Sequence, residues 1–213
     1  IVISAFLVFQ PDFGQACLIL FGWSVVYFVA GAHILLLIGV AAAATGLGSF
    51  AYIYSEHFAR RIDGFLSPDL DPKTQLGYAT NAIQEGGFFG VGVGEGQVKW
   101  SLPDAHTDFI IAVAAEEYGF VLVGLILTIY AAIVCISLAR LLRERDIFVR
   151  LAGTGLVCMF GIQAVINIGV AARLLPAKGM TLPFVSYGGS SLIAGGIAIG
   201  ILLALTRSRP QKN

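Results

Sequence analysis

Five stretches of this chain are apolar and almost free of charge for about as long as a helix needs to cross a membrane, and nothing else in the sequence restricts the fold so strongly. A ~30 Å hydrocarbon core takes roughly 20 helical residues. The stretches run over 13–30, 33–54, 118–141, 149–170 and 184–205, and Ile1 to Phe9, closed by Gln10-Pro11-Asp12, reads as the end of a further span. The expected fold is an all-α polytopic membrane protein. It has five complete transmembrane helices, the end of a sixth, and a long extracytoplasmic loop between the second and third complete spans, with residues 1–213 as one membrane domain. With 57% hydrophobic and 12% charged residues, the chain carries about half the charge of a soluble domain, which excludes a water-soluble globular fold. Its 13 basic and 13 acidic residues cancel, so no basic field exists to hold nucleic acid.

Cys17, Cys135 and Cys158 each sit inside an apolar run and match neither a disulfide framework nor zinc-ligand spacing, so they read as small residues of the membrane core. The first residue is Ile1, and no basic segment with a small-residue cleavage site follows it. The opening stretch is therefore not read as a signal peptide, and the chain reads as beginning inside a larger protein.

Short cytoplasmic loops are rich in Lys and Arg. Arg140, Arg143, Arg145 and Arg150 crowd one connection, and Arg207, Arg209 and Lys212 follow the last span, two crossings later. Both clusters belong inside, which places the loop 55–107 and the shorter 171–183 outside. A loop as long as 55–107 in a compact protein is usually functional. Ser55 to Leu66, with Arg60, Arg61 and Asp63, reads as a helical extension. From Pro72 to Gln84, Leu76, Ala79, Ala82 and Ile83 recur near a helical turn, which suggests a short amphipathic helix at the interface. Gly86 to Gly96 then alternates glycines, yet no Gly-Lys-Ser/Thr follows and the register misses the dinucleotide pattern. A flexible hinge is the plainer reading of that run.

Polar residues then become dense. Asp108 precedes the third complete span between Thr107 and the apolar Phe109 and Ile110. At headgroup depth, apolar walls raise a carboxyl pKa toward the range of a general base. The alternative is a first-turn acid favoured by the helix dipole, with Asp104 as N-cap. At 100 degrees per residue, Glu116 and Glu117 fall about 80 and 180 degrees from Asp108, so the three do not share a face. An unpaired acid in a bilayer costs about 3 kcal/mol, so these two are expected to be paired, hydrated or at a cavity. Asp104, His106 and Asp108 alternate as metal ligands on a strand would, which does not suit the helix expected here, so no protein-bound metal is assigned. Orientation of Asp108 or a substrate hydrogen bond suits His106 better.

Arg173 and Lys178, beside Pro176 and Pro183, make a stiff cationic rim, and such donors suit a pyrophosphate, as Arg60, Arg61 and Lys99 do in the other loop. Ser190 and Ser191 suit close helix packing, and Gln163 and Asn167 suit interhelical hydrogen bonds.

Several motifs together resemble one family. They are Gln10-Pro11-Asp12-Phe13-Gly14-Gln15, the glycine run with Lys99, Leu102-Pro103-Asp104-Ala105-His106-Thr107-Asp108-Phe109, Ala115-Glu116-Glu117, Asn167, and Leu175-Pro176-Ala177-Lys178-Gly179-Met180-Thr181-Leu182-Pro183-Phe184-Val185-Ser186-Tyr187-Gly188-Gly189-Ser190-Ser191. The chain is similar over nearly its whole length to the SEDS (FtsW/RodA/SpoVE) family, nearest its division branch. The resemblance implies a multi-pass enzyme of the bacterial cytoplasmic membrane with about twice as many spans, of which this is the C-terminal part. Such enzymes polymerise lipid II into peptidoglycan glycan strands at the outer face during cell division, beside a class B penicillin-binding protein (a transpeptidase) and other divisome membrane proteins.

The resemblance implies an essential role for Asp108. The expected chemistry is removal of a proton from the acceptor 4-hydroxyl by Asp108. Lys99, then Arg61 and Lys178, would face the departing pyrophosphate, His106, Thr107 and Ser186 would be further substrate contacts, and Glu116, Glu117 and Asn167 would be supports. No cofactor is assigned beyond a divalent cation (Mg or Mn) that could accompany the substrate pyrophosphate. Arg173 departs from the small or apolar residues usual in the family and receives no family role. A lipid II flippase and a non-catalytic divisome scaffold are the competing functions. A flippase lines its route with polar groups through the bilayer, whereas strong charge here sits at the outer end.

Overall fold

Long apolar runs without proline in their interiors become helices. The computed structural model describes residues 6–7, 13–67, 74–176 and 179–207, with Phe13, His57 and Arg61 in backbone only. The Gln10-Pro11-Asp12 stop, Pro72, Lys178, Arg209, Lys212 and the side chain of Arg61 lie outside the described residues, as does most of the Ile1 to Phe9 remnant. The helices are α1 (Phe13–Val29), α2 (Ile34–Tyr54), α3 (Glu56–Leu66), α4 (Gln75–Gly86), α5 (Ile110–Leu141), α6 (Ile147–Ala171) and α7 (Gly189–Thr206), with a 3-10 turn at Val98–Trp100. Among the described residues there is no strand.

By length and composition α2, α5, α6 and α7 can cross a membrane. Helix α1 has 17 residues, ~26 Å of rise, and stops short of a full crossing on that measure. Two expected edges move. The expected last span begins at residue 184, but α7 starts at Gly189, because Phe184 has a φ of 65° and Val185 and Ser186 turn back to donate to Leu182 O. The expected third span is the inner part of α5, which starts at Ile110.

Helix α6 is the hub and packs against α1, α5 and α7. Tyr130 of α5 stacks on Phe160 of α6 at 5.2 Å, and its hydroxyl donates to Pro183 O. No residue of α2 is buried. Cys17 and Cys135 are exposed and Cys158 half-buried. Side-chain oxygens cap three helices. Ser55 accepts from Phe58 N (3.4 Å), Thr74 from Gly77 N (3.1 Å) and Asp146 from Phe148 N (2.8 Å). Each satisfies a donor that the first turn leaves free.

The glycine run is no hinge. Helix α5 breaks at Gly119, whose φ of 72° and ψ of −172° leave the helical region. A continuous helix would pair Phe120 N with Glu116 O and Val121 N with Glu117 O. Instead Val91 N and Gly92 N donate to Glu116 O and Glu117 O (2.9 and 3.2 Å), while Phe120 N and Val121 N donate to Gly87 O and Phe88 O (3.0 and 3.3 Å). Two local bonds are exchanged for four across the break. Main chain lies directly on main chain, and a Cβ on Gly90 would stand 2.1 Å from Glu117 O. Glycine is needed here for close approach as well as for positive φ.

Gly90→Ala and Gly94→Ala separate these two demands. Both glycines have φ near +80°, but nothing lies within 4 Å of a Cβ on Gly94. Thermal unfolding of the purified full-length protein should show a loss of about 1–2 kcal/mol for Gly94→Ala and about 3 kcal/mol or more for Gly90→Ala. Equal losses would contradict the docking.

Candidate functional site

The site is assembled from two segments between the long helices, 96–109 and 179–188, held together by α6. Asp104 has a φ of 56°, a left-handed conformation that Asp tolerates better than most residues. It aims its carbonyl at the N–H groups of Thr107, Asp108 and Phe109 (3.1, 3.1 and 3.2 Å). The Thr107 hydroxyl donates to the same oxygen at 3.2 Å. This tight turn is anchored at both ends by Leu102 and Phe109, which are buried with Ala79, Ala82 and Ala112. Helix α5 begins at Ile110, and its cap residue Phe109 makes no side-chain bond. Asp108 is therefore not a first-turn acid and Asp104 is not an N-cap. The Asp104 carboxylate instead accepts from Gln75 Nε2 at 3.4 Å.

From α6, Asn167 Nδ2 donates to Asp108 O (2.9 Å) and Met180 O (2.6 Å), and Gln163 Nε2 donates to Thr181 O (3.0 Å). The expected interhelical donors thus bind loop carbonyls. Ser186 Oγ accepts from Leu182 N (2.7 Å) and donates to Thr107 O (2.5 Å), and Tyr187 N donates to His106 O (2.9 Å). The hydroxyls of Thr107 and Ser186, expected to meet substrate, are engaged with main chain. Ser191 Oγ accepts from Thr181 Oγ1. The His106 ring is exposed and stands edge-on to Tyr187 at 5.8 Å. Among the described residues no hydrogen bond joins it to Asp108, so it does not orient that carboxylate.

Amid these bonds the Asp108 carboxylate itself has no donor among the described residues. It is half-buried, with Oδ2 3.2 Å from where a Cβ on Gly179 would stand. Burial, then the negative charge of Asp104, pushes its carboxyl above the usual carboxylate range. A carboxyl of raised pKa with no donor among the described residues, its backbone held by hydrogen bonds to Asp104 and Asn167, is equipped to take a proton.

The cations are less free than expected. Lys99 is largely buried and forms an ion pair with Glu117, with its ammonium 5.2 Å from the Trp100 ring centre. Glu116 is fully buried and accepts from Val98 N (2.8 Å) and Lys99 N (3.1 Å). Arg60 pairs with Glu56 on an exposed helix face, and Arg173 donates to Ser67 O at 2.6 Å. Among the described residues no three His, Cys, Asp or Glu side chains converge to hold a metal. An apolar groove of about 870 Å³ opens between α4, α5 and the end of α6, lined by Ile83, Ile111, Phe120, Val123, Leu174 and the charged Arg173. Sequence reasoning missed the Asp104 hub, Gln75, Gly96 and Tyr187. Only the Leu-Pro-Asp that opens the turn hinted at the first.

The profile of the FtsW/RodA/SpoVE cell cycle protein family matches residues 1–211. The chain belongs to this family. It is 44% identical over 207 residues to the probable peptidoglycan glycosyltransferase FtsW of Caulobacter vibrioides, covering 97% of this chain and 53% of that protein. It is 37% identical to stage V sporulation protein E of Bacillus subtilis, covering 97% and 58%. The chain thus spans about half the length of these relatives. One chain of a solved peptidoglycan synthase complex, described as coordinating polymerization and crosslinking, superposes with a TM-score of 0.78 at 35% identity, covering 99% of this chain and 60% of that one. An aspartate-to-alanine mutant of the rod shape-determining protein RodA of Thermus thermophilus gives 0.64 at 31% identity, covering 99% and 55%.

The raised Asp108 pKa has a sign that can be checked. The folded state holds this proton more tightly than the unfolded chain, so its contribution to stability is full below the unfolded pKa and is lost as pH rises through the folded one. Asp108→Asn removes that loss. The Tm of the purified full-length protein near neutral pH should hold or rise in the variant, and a marked fall would show the carboxylate to be a structural partner.

Proposed function

We propose that this chain is the C-terminal part of a peptidoglycan glycosyltransferase, which polymerises lipid II into glycan strands on the outer face of the bacterial cytoplasmic membrane during cell division. The observation that carries this reading is the Asp108 carboxylate, half-buried just before a helix long and apolar enough to span, with no donor among the described residues and a raised pKa. The names of the relatives point the same way. In the proposed topology α1 is a fifth crossing, and Arg140, Arg143, Arg145 and Arg207 face the cytoplasm. The turn bearing Asp108 then faces the periplasm.

Lipid II carries a polyprenyl tail, a pyrophosphate at headgroup depth and a sugar above it, so a base at that depth reaches a sugar hydroxyl. Asp108 takes the proton of the acceptor N-acetylglucosamine 4-hydroxyl. The oxygen attacks the anomeric carbon of the lipid-linked donor, the new C–O bond forms as the bond to pyrophosphate breaks, and the configuration inverts. Lys99, Arg61 and Lys178 are the proposed cations facing the leaving group. Because Glu117 already holds Lys99, that residue acts from a fixed position. A divalent cation arriving with the substrate pyrophosphate would add charge there, as part of the substrate. Exposed His106 is the proposed side-chain contact to sugar, whereas Thr107 and Ser186 shape the turn through main-chain bonds. Met180 and Leu182, both buried, keep the second segment against it. The apolar groove beside α5 and α6 suits the membrane span of a class B penicillin-binding protein, the proposed crosslinking partner among the divisome proteins.

The test is polymerisation of labelled lipid II by full-length protein with its cognate transpeptidase. Asp108→Asn, folded and partner-bound, should lose at least about 100-fold in rate. In the wild type, kcat/KM should fall as pH drops through a value above the ordinary carboxylate range, because the base must be ionised. Long strands from the variant would overturn the assignment of the base. Translocation of lipid II in liposomes without polymer would identify a flippase, and neither activity a scaffold.

A further inference from the structure

Nothing in the transfer step uses Glu116, yet it is the most thoroughly enclosed charged side chain among the described residues, at 0% exposure. Burying a carboxylate costs several kcal/mol unless hydrogen bonds replace its water. Here both oxygens are used, Oε1 by Val98 N at 2.8 Å and Oε2 by Lys99 N at 3.1 Å. Charge-assisted bonds of this kind are about twice as strong as neutral ones. The chain on the other side is equally close, since a Cβ on Gly96 would stand 2.7 Å from the Glu116 carboxyl carbon. The same stretch of α5 holds the loop again through Glu116 O and Glu117 O, which accept from Val91 N and Gly92 N.

This grip feeds directly into the turn that bears the base. Ser101 N and Leu102 N both donate to Val98 O (3.0 and 3.1 Å), and Leu102 and Phe109 are buried in one apolar cluster on either side of Asp108. The chain therefore leaves Glu116 at Val98, passes through the Asp104 hub and Asp108, and returns to Glu116 along two turns of α5. We propose that Glu116, closed over by Gly96, is a positioning residue for glycosyl transfer. It clamps the Val98–Trp100 turn and thereby fixes where Asp108 stands. The inference rests on the reading of Asp108 as the base, although Glu116 itself touches no substrate.

Glu116→Gln replaces one acceptor oxygen with an NH2 that must face a backbone N–H, so one of the two bonds is lost. In the full-length protein with its transpeptidase, kcat should fall about tenfold, since small displacements of a reacting group are costly, while KM for lipid II stays within about twofold. Amide hydrogen exchange should quicken at Val98, Lys99 and 101–109 but not along α6. Gly96→Ala presses on the same carboxylate and should give the same split, and the double variant should lose less than the product of the two. Wild-type kcat in both single variants, with Asp108→Asn inactive, would overturn the clamp, as would a rise in KM alone. If Asp108→Asn stays active, the base is wrongly assigned, but the exchange data still judge the clamp. Should Glu116→Gln fail to fold, the wild type decides. The amides of Val98 and Lys99 must exchange among the slowest in residues 87–109, and rapid exchange there would sink the proposal.

Discussion

The region around Asp108 depends on how main-chain polar groups are satisfied at the break in α5. A helix that breaks beside lipid strands its carbonyls and N–H groups, and each one unpaired costs about 1–3 kcal/mol. The break at Gly119 is viable because the glycine run supplies the missing partners and offers its own in return. The exchange demands main chain at contact distance, which explains a run too poor in side chains to form a core. It also presents Glu116 and Glu117 to the segment that leads to Asp108.

Around Asp108 the hydrogen bonding is nearly complete. Asp104 O gathers the turn, Asn167 ties the Asp108 carbonyl to Met180, and Ser186 ties Thr107 to Leu182. Among the described residues the Asp108 carboxylate and the buried Oδ1 of Asn167 are left without a donor, and burial, then the charge of Asp104, holds the Asp108 pKa above the ordinary range. On the proposed reading of Asp108 as the base, a site that holds its backbone while leaving the carboxylate without a donor among the described residues accepts a local cost in stability for reactivity, a common trade at functional sites.

Much of this arrangement was legible in the residues. The apolar runs predicted helices close to α2 and α6, and the spacing of Leu76, Ala79, Ala82 and Ile83 predicted α4. Asp108 stood out by its place beside apolar Phe109 and Ile110 ahead of a long apolar run, and the resemblance implied an essential role for it. Less legible were the roles of Lys99, Thr107 and Ser186, whose polar atoms are engaged by Glu117, Asp104 O and Thr107 O. A side chain looks available in a sequence whenever its partner is far away in the chain, and Ser186 lies 79 residues from Thr107. The glycine run read as a hinge for the same reason, because its partner is the backbone of a helix.

Which segments cross lipid follows from composition and length, because transfer from water to hydrocarbon is nearly a sum over residues and needs no knowledge of neighbours. The presence of a carboxylate just before a long apolar run is equally a matter of order along the chain. Whether that carboxylate is paired, and which cations remain free to meet a phosphate, was decided by tertiary structure. Hydrogen bonds and ion pairs act over about 3 Å, so they depend on folding that brings residues 91 and 98 to 116, and residues 167 and 186 to 107 and 108.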